Sequence, residues 1–351
     1  MTFEEFIMQA REMNASDIHL TVGAPTVVRV NGELRKYTEL SDQVVNRTIL
    51  SILSAEQEKM LTEGKDIDFS FELKNGARQR VNVFRQSGKL AACIRLLNAE
   101  IPTLEELKMP PVLLEFAKKR RGLVLVTGPT GAGKSTTLAA LMEYINKTRA
   151  CHVITIEDPI EYRYKQEKAT IHQRELGRDV PSFHEALRSA LREDPDVILI
   201  GEMRDYETIS LAMTAAETGH LVFGTLHTSS AAQTVDRIID ACPIHSQDQV
   251  RSQLASMIQG IIAQPLIPRA DGKGRVAAVE VMIGTDAIRN LIRSAKINMM
   301  ETTMAAGARD GMCTLNVSLA NLYKTGQISY ETALEYATDR GEMEKKLLSG
   351  I

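Results

Sequence analysis

Residues 128–135 read GPTGAGKS, a match to G-x-x-x-x-G-K-[ST], and few short stretches restrict a chain so tightly. An apolar run, GLVLVTG, leads into it and a longer apolar segment, TTLAALMEYI, follows. A strand that turns through glycines into a helix aims several backbone N–H groups, and the positive end of the helix dipole, at one place. That place suits a polyphosphate. Gly128, Gly131 and Gly133 let the backbone approach its oxygens, and the cradle extends over Gly128, Pro129, Thr130, Gly131, Ala132, Gly133, Lys134, Ser135 and Thr136. Lys134 would reach the β- and γ-phosphates and Ser135 would ligate magnesium, so ATP with Mg2+ is the expected ligand pair.

The same strand-then-helix grammar continues on both sides of the motif. HVITIED, DVILIG and HLVFGTLH are short apolar runs without alternation, as strands covered on both faces should be. Helical segments separate them, and SFHEALRSALRED and SQDQVRSQLASM each begin with capping-box spacing, at Ser182/Glu185 and Ser246/Gln249. The alternation predicts an α/β domain with a parallel, doubly wound sheet over residues 112–351, all-helical from about 284 onward. Residues 1–100 differ: Asn31-Gly32 and Asn75-Gly76 each sit between alternating apolar runs, which predicts two type I′ hairpins in a small α+β domain. Between the two, residues 101–111 carry Pro102, Pro110 and Pro111 and read as a linker.

Acidic residues cluster where strands end. DVILIGE, set beside the P-loop strand, would bring Glu202 to the phosphate edge, with Gly201 removing a side chain that would crowd the ion. Glu157, Asp158 and Glu161 follow HVITI, and Pro159 helps turn the chain out of that strand. Two acids near Mg-ATP divide into a base and an organiser of ion or water; Glu161 is expected to be the base and Glu202 the organiser and second metal-site residue after Ser135. His220 and His227 flank one strand, and His227, on the ligand side, is placed to sense the γ-phosphate or link sites.

Bulk properties narrow the choice of partners. The chain has 351 residues and a net charge of −3, from 42 basic and 45 acidic residues. That balance, with 5% aromatic residues and no Trp, offers neither a basic coat nor a stacking groove for nucleic acid. KKRR, Lys118–Arg121, is the one basic run and reads as a solvated helix end. Four scattered cysteines without a C-x-x-C pair argue against structural zinc and, with no secretion signal, point to the cytoplasm. No apolar run reaches the ~18 residues that span a bilayer, so membrane association is expected only through partners.

In order along the chain, the P-loop, ITIEDPIEY, LIGEMRD and GHLVFGTLHT resemble the Walker A motif, Asp box, atypical Walker B and His box of the type II/type IV pilus secretion ATPases. In that superfamily the glycine at 201 is the usual residue. ASDIHL and RQRVNVFRQ resemble its PAS-like N-terminal domain, which makes the implied architecture a PAS-like domain followed by a RecA-like P-loop domain and C-terminal helices. AIRNLIR, Ala287–Arg293, resembles the signature of the pilus-retraction branch, the PilT family, and the absence of a tetracysteine motif separates the chain from typical extension and secretion ATPases.

The resemblance implies a homohexamer, peripheral at the inner membrane, working on a platform protein and the pilus base, with nucleotide between the two domains. It also implies arginines acting on that nucleotide: Arg80 and Arg95, with Arg78 behind them. Arg192 and Arg204 flank the Glu202 strand and are expected to form ion pairs within the ring. By periodicity AIRNLIR is an amphipathic helix with Ala287, Ile288, Leu291 and Ile292 toward the core. The competing readings are an extension or secretion ATPase of the same superfamily and a RecA-like nucleic-acid motor.

Overall fold

The computed structural model describes residues 3–30, 32–73, 75–97 and 100–348. The chain divides into two compact units, one built from residues up to Glu100 together with Pro159–Arg163, the other from Ile101–Asp158 and Tyr164 onward.

The N-terminal unit is an antiparallel sheet of β1 (Ala15–Thr21), β2 (Thr26–Val30), β3 (Glu33–Thr38), β4 (Ile67–Glu72), β5 (Arg78–Gln86) and β6 (Lys89–Leu96), in the order β3-β2-β1-β6-β5-β4. Alternation along the strands turns Ile18, Leu20, Val81, Val83, Ala92 and Ile94 into one core, covered by helices Phe3–Glu12, Asp42–Leu50 and Ala55–Thr62. The opposite face carries charge. The turns differ in detail from the sequence expectation. At Asn75-Gly76 only the glycine has positive φ, 84°, and Asn75 accepts a hydrogen bond from the Ala77 N–H at 3.0 Å, an Asx turn rather than type I′. The turn with two positive φ values is one that the sequence reading passed over: Ser87 (49°) and Gly88 (76°), joining β5 to β6. Gly32 has φ 87°, and Asn31 lies outside the described residues.

The second unit contains β7 (Gly122–Thr127), β8 (His152–Glu157), β9 (Thr170–Glu175), β10 (Val197–Ile200), β11 (Leu221–Leu226), β12 (Ile258–Ala263), β13 (Leu266–Pro268), β14 (Arg275–Ala277) and β15 (Glu280–Ile283). Seven of these form one sheet in the order β15-β12-β7-β11-β10-β8-β9, parallel apart from β15, and β13 pairs with β14 alone. Both faces are covered, as unbroken apolar strands require. Leu123 and Leu125 of β7 enter one core, with helices Phe183–Ala190, Tyr206–Glu217, Ala231–Asp240 and Gln247–Met257, whereas Val124 and Val126 enter another, with helix Lys134–Thr148. Residues 101–111 belong to this unit and bury Leu104 and Met109 in its second core.

Three expectations change. The Glu202 strand, β10, is not beside the P-loop strand; β11 lies between, hydrogen-bonded to both. Strands β9 and β12–β15 went unread: β9, TIHQRE, is mostly polar, and β12–β15 are short or interrupted by glycine or proline. Ser246 caps nothing with its side chain, since a 3₁₀ turn over Ile244–Ser246 leaves its backbone helical at φ −102°, ψ −11°. Ser182, with an extended backbone, does accept the Glu185 N–H at 3.1 Å.

Candidate phosphate-binding site

The parallel strands end at one edge, and the P-loop leaves β7 there. Gly128, at φ 147°, passes so close to Gln264 that a Cβ would fall 2.2 Å from the Gln264 carbonyl oxygen. Gly133, at φ 82°, forms the left-handed cap of helix Lys134–Thr148, a conformation costly for any side-chain-bearing residue. The Lys134 ammonium donates to the carbonyls of Gly128 (2.7 Å) and Pro129 (3.2 Å), folded over the loop it would serve.

Glu202 reaches the same edge from β10. Gly201 N–H donates to the Ile156 carbonyl at 2.7 Å, Met203 N–H donates to the Thr225 carbonyl at 3.0 Å, and the Thr225 hydroxyl donates to the Gly201 carbonyl. These bonds fix the peptide on either side of the glutamate. The glycine at 201 also lies tight against the neighbouring strand: a Cβ would come 3.1 Å from the Ile156 oxygen and 3.2 Å from the Glu157 Cα of β8.

Around Glu202 three cationic or titratable groups converge. Arg204 is 2.6 Å from its Oε2, and the His227 Nε2 is 3.0 Å from its Oε1. A carboxylate can only accept, so Nε2 carries the hydrogen, and Nδ1 turns its lone pair toward the Lys134 ammonium, 3.4 Å away. The row Lys134–His227–Glu202–Arg204 thus joins the P-loop to the end of β10. Burial alone would raise the Glu202 pKa, but the hydrogen bond and charge of Arg204, with His227 and Lys134 behind, bring it below the ordinary carboxylate range.

Oxygen donors suit Mg2+, which takes one or two protein oxygens plus phosphates and water. Ser135, on the first turn of the helix, and Glu202 are of that type. Both Glu202 oxygens already hold partners, which favours metal contact through water.

Lys134, His227 and Glu202 therefore meet in one unit, whereas the other candidates lie elsewhere. Glu161 belongs to the segment Pro159–Arg163, which packs with the N-terminal unit. Arg80 and Arg95 stand opposite each other across β5 and β6 on the charged face. Asp68 pairs with Arg80 at 2.6 Å and Asp17 with Arg95 at 3.1 Å. Arg78, almost fully buried, bonds Ser70 at 2.8 Å. Glu157 is occupied locally, accepting from Thr155 (2.6 Å) and Gln173 (3.2 Å). Sequence reasoning missed Thr225 and Gln264; an apolar run bounded by Pro265, IIAQP, was the available sign of the strand that the second directly follows.

Fold and site together define a RecA-like P-loop ATPase. The family model described as type II/IV secretion system protein matches residues 1–341. The type IV pilus retractation ATPase PilT of Pseudomonas aeruginosa is 49% identical over 339 residues, covering 96% of this chain and 98% of its own. A twitching motility protein of Neisseria gonorrhoeae is 48% identical over 319 residues, covering 90% of this chain and 85% of its own. Among solved structures, the pilus retraction motor PilT with bound ADP superposes with a TM-score of 0.91 at 47% identity, over 98% of this chain and 99% of that one. This chain belongs to the type II/IV secretion system protein family.

Proposed function

We propose that the chain is the ATPase motor of type IV pilus retraction, converting ATP hydrolysis into domain movements that remove pilin from the fibre base. The observation that carries this reading is the Lys134–His227–Glu202–Arg204 row at the P-loop, in a chain whose full-length relatives are named for retraction and twitching. Residues Gly128–Thr136 hold the phosphates, Lys134 neutralises them, and Ser135 and Glu202 organise the magnesium. That ion, when bound, offsets the charge that develops on the transferred phosphoryl group. His227 carries the state of Lys134 to Glu202.

Glu161 polarises the attacking water, and Arg80 and Arg95 supply positive charge to the transition state. These three belong to the N-terminal unit, while the phosphate-holding groups belong to the other. The working form is a homohexamer at the cytoplasmic side of the inner membrane, acting on a platform protein and the pilus base, without nucleic acid. Helix Asp286–Arg293 serves retraction through its exposed Asn290 and Arg293 and not hydrolysis itself.

The test is a deletion strain scored for surface fibres together with an ATPase assay on the purified chain. Excess immobile fibres and Mg-dependent turnover are expected. Bald cells would make the chain an extension motor, and DNA-stimulated turnover would make it a nucleic-acid motor.

A further inference from the structure

Gln264 follows β12 directly and is 1% exposed, in contact with three successive parts of the phosphate loop. Its backbone N–H donates to the carbonyl of Thr127, the last residue of β7, at 2.9 Å. Its side-chain Nε2 donates to the carbonyl of Ala132, in the middle of the loop, at 2.8 Å. Its Oε1 accepts from the hydroxyl of Thr137, in the first turn of the following helix, at 2.9 Å, and Thr137 is itself fully buried. The amide orientation follows from chemistry: a backbone carbonyl can only accept, so the NH2 group must face Ala132, and the oxygen is left for the hydroxyl.

A buried amide bonded at both ends is expensive to leave half satisfied, so this arrangement resists rearrangement of the loop. One bond has a directional consequence. In a trans peptide the C=O and the next N–H point in opposite directions. Drawing the Ala132 carbonyl toward Gln264 therefore turns the Gly133 N–H away from it, to the other side of the loop. Close packing adds to the effect, since Cβ atoms on Gly128 or Gly133 would come within 2.2 Å and 3.3 Å of Gln264 atoms. The Lys134 ammonium pulls on the Gly128 and Pro129 carbonyls, so the loop needs an anchor that keeps its shape when a phosphate draws the lysine away.

We infer that Gln264 is a positioning residue of the phosphate cradle, holding the Ala132–Gly133 peptide so that its N–H is aimed at the polyphosphate before nucleotide arrives. The inference rests on reading Gly128–Thr136 as the nucleotide site. No charged side chain shares these bonds; both side-chain partners are neutral, and the anchor works by geometry. The preorganised loop binds the β-phosphate without first reordering, and this sets affinity for ADP as well as ATP.

The test measures ADP affinity and kcat/KM of the full chain from pH 6 to 9 for wild type, Gln264→Met, Gln264→Glu, Thr137→Val and Lys134→Ala. Gln264→Met is expected to weaken ADP binding about tenfold or more at every pH, which corresponds to about 1.4 kcal/mol. Gln264→Glu places a carboxylate against the Ala132 carbonyl at high pH and a protonated, donating acid there at low pH. Its affinity relative to wild type should therefore recover as pH falls, a reversal that a purely structural defect would not give. Wild-type ADP affinity in folded Gln264→Met overturns the inference, as does a pH-independent ratio for Gln264→Glu. Should Gln264→Met not fold, Thr137→Val and Gln264→Glu decide: weaker binding in the first with recovery in the second sustains the anchor, and anything else removes it. Loss of binding in Lys134→Ala with normal binding in the Gln264 variants sinks the anchor alone. Normal binding in Lys134→Ala sinks the nucleotide-site reading beneath it.

Discussion

Glu202 sits between Arg204 and His227, and the fixed charge of the first predicts how the site responds to pH. Arg204 is permanently charged, and its hydrogen bond and charge do most to hold the carboxyl below its ordinary value of about 4.3, against the burial that would raise it. A depressed carboxyl stabilises the fold above the unfolded value and loses that contribution only as pH falls through the lower folded one. Across pH 5 to 8 the pair with Arg204 should stay intact. Arg204→Ala leaves burial, which raises the pKa, opposed only by His227 and Lys134. The acid limb of its kcat/KM profile, which reports the free enzyme, should move to higher pH than in wild type. An unmoved limb would mean that Glu202 does not govern it. The residue types at this site were legible in the sequence, but the close approach of Gly201 to β8 was not. The β8 backbone that crowds a Cβ there comes from residues about 45 positions earlier in the chain, and no local pattern announces it.

At the scale of elements, helix Asp286–Arg293 separates packing from function cleanly. Thr285 caps it, accepting the Ile288 N–H at 3.4 Å, and Ile288, Leu291 and Ile292 are buried. Ala287, expected on the core stripe, is exposed instead. Arg289 reaches back to the Ile258 carbonyl at 3.2 Å, while Arg293 stands in solvent. Ile288→Ala should cost roughly 2–4 kcal/mol of stability by thermal or urea unfolding. Arg293→Ala should stay within about 0.5 kcal/mol, keep its ATPase rate and yet abolish twitching. Wild-type motility in Arg293→Ala would deny this helix its part in retraction. The element's amphipathic pattern was plain in the sequence; which polar residue is tethered and which is free depended on where β12 begins.

For the whole molecule, the division of candidate groups between two units is the central fact. The P-loop, Glu202 and His227 share one core-bearing unit, whereas Glu161, Arg80 and Arg95 belong to the other. If hydrolysis requires both, ADP affinity and turnover should separate under mutation. Glu161→Gln, and Arg80→Ala combined with Arg95→Ala, should each lower kcat by about 100-fold or more while ADP still binds well. ATP hydrolysis at the wild-type rate in Glu161→Gln would strip that residue of the role of base.

The strand–loop–helix identity of the P-loop, the two-layered apolar runs and the change of pattern after residue 100 are local properties, set by turn chemistry and hydrophobic period. A chain carrying them had little choice of fold class. The order of the strands was another matter. Inserting β11 between β7 and β10, bringing Gln264 under the loop and grouping Pro159–Arg163 with the N-terminal sheet all depend on contacts between residues far apart in sequence, made only when the layers pack.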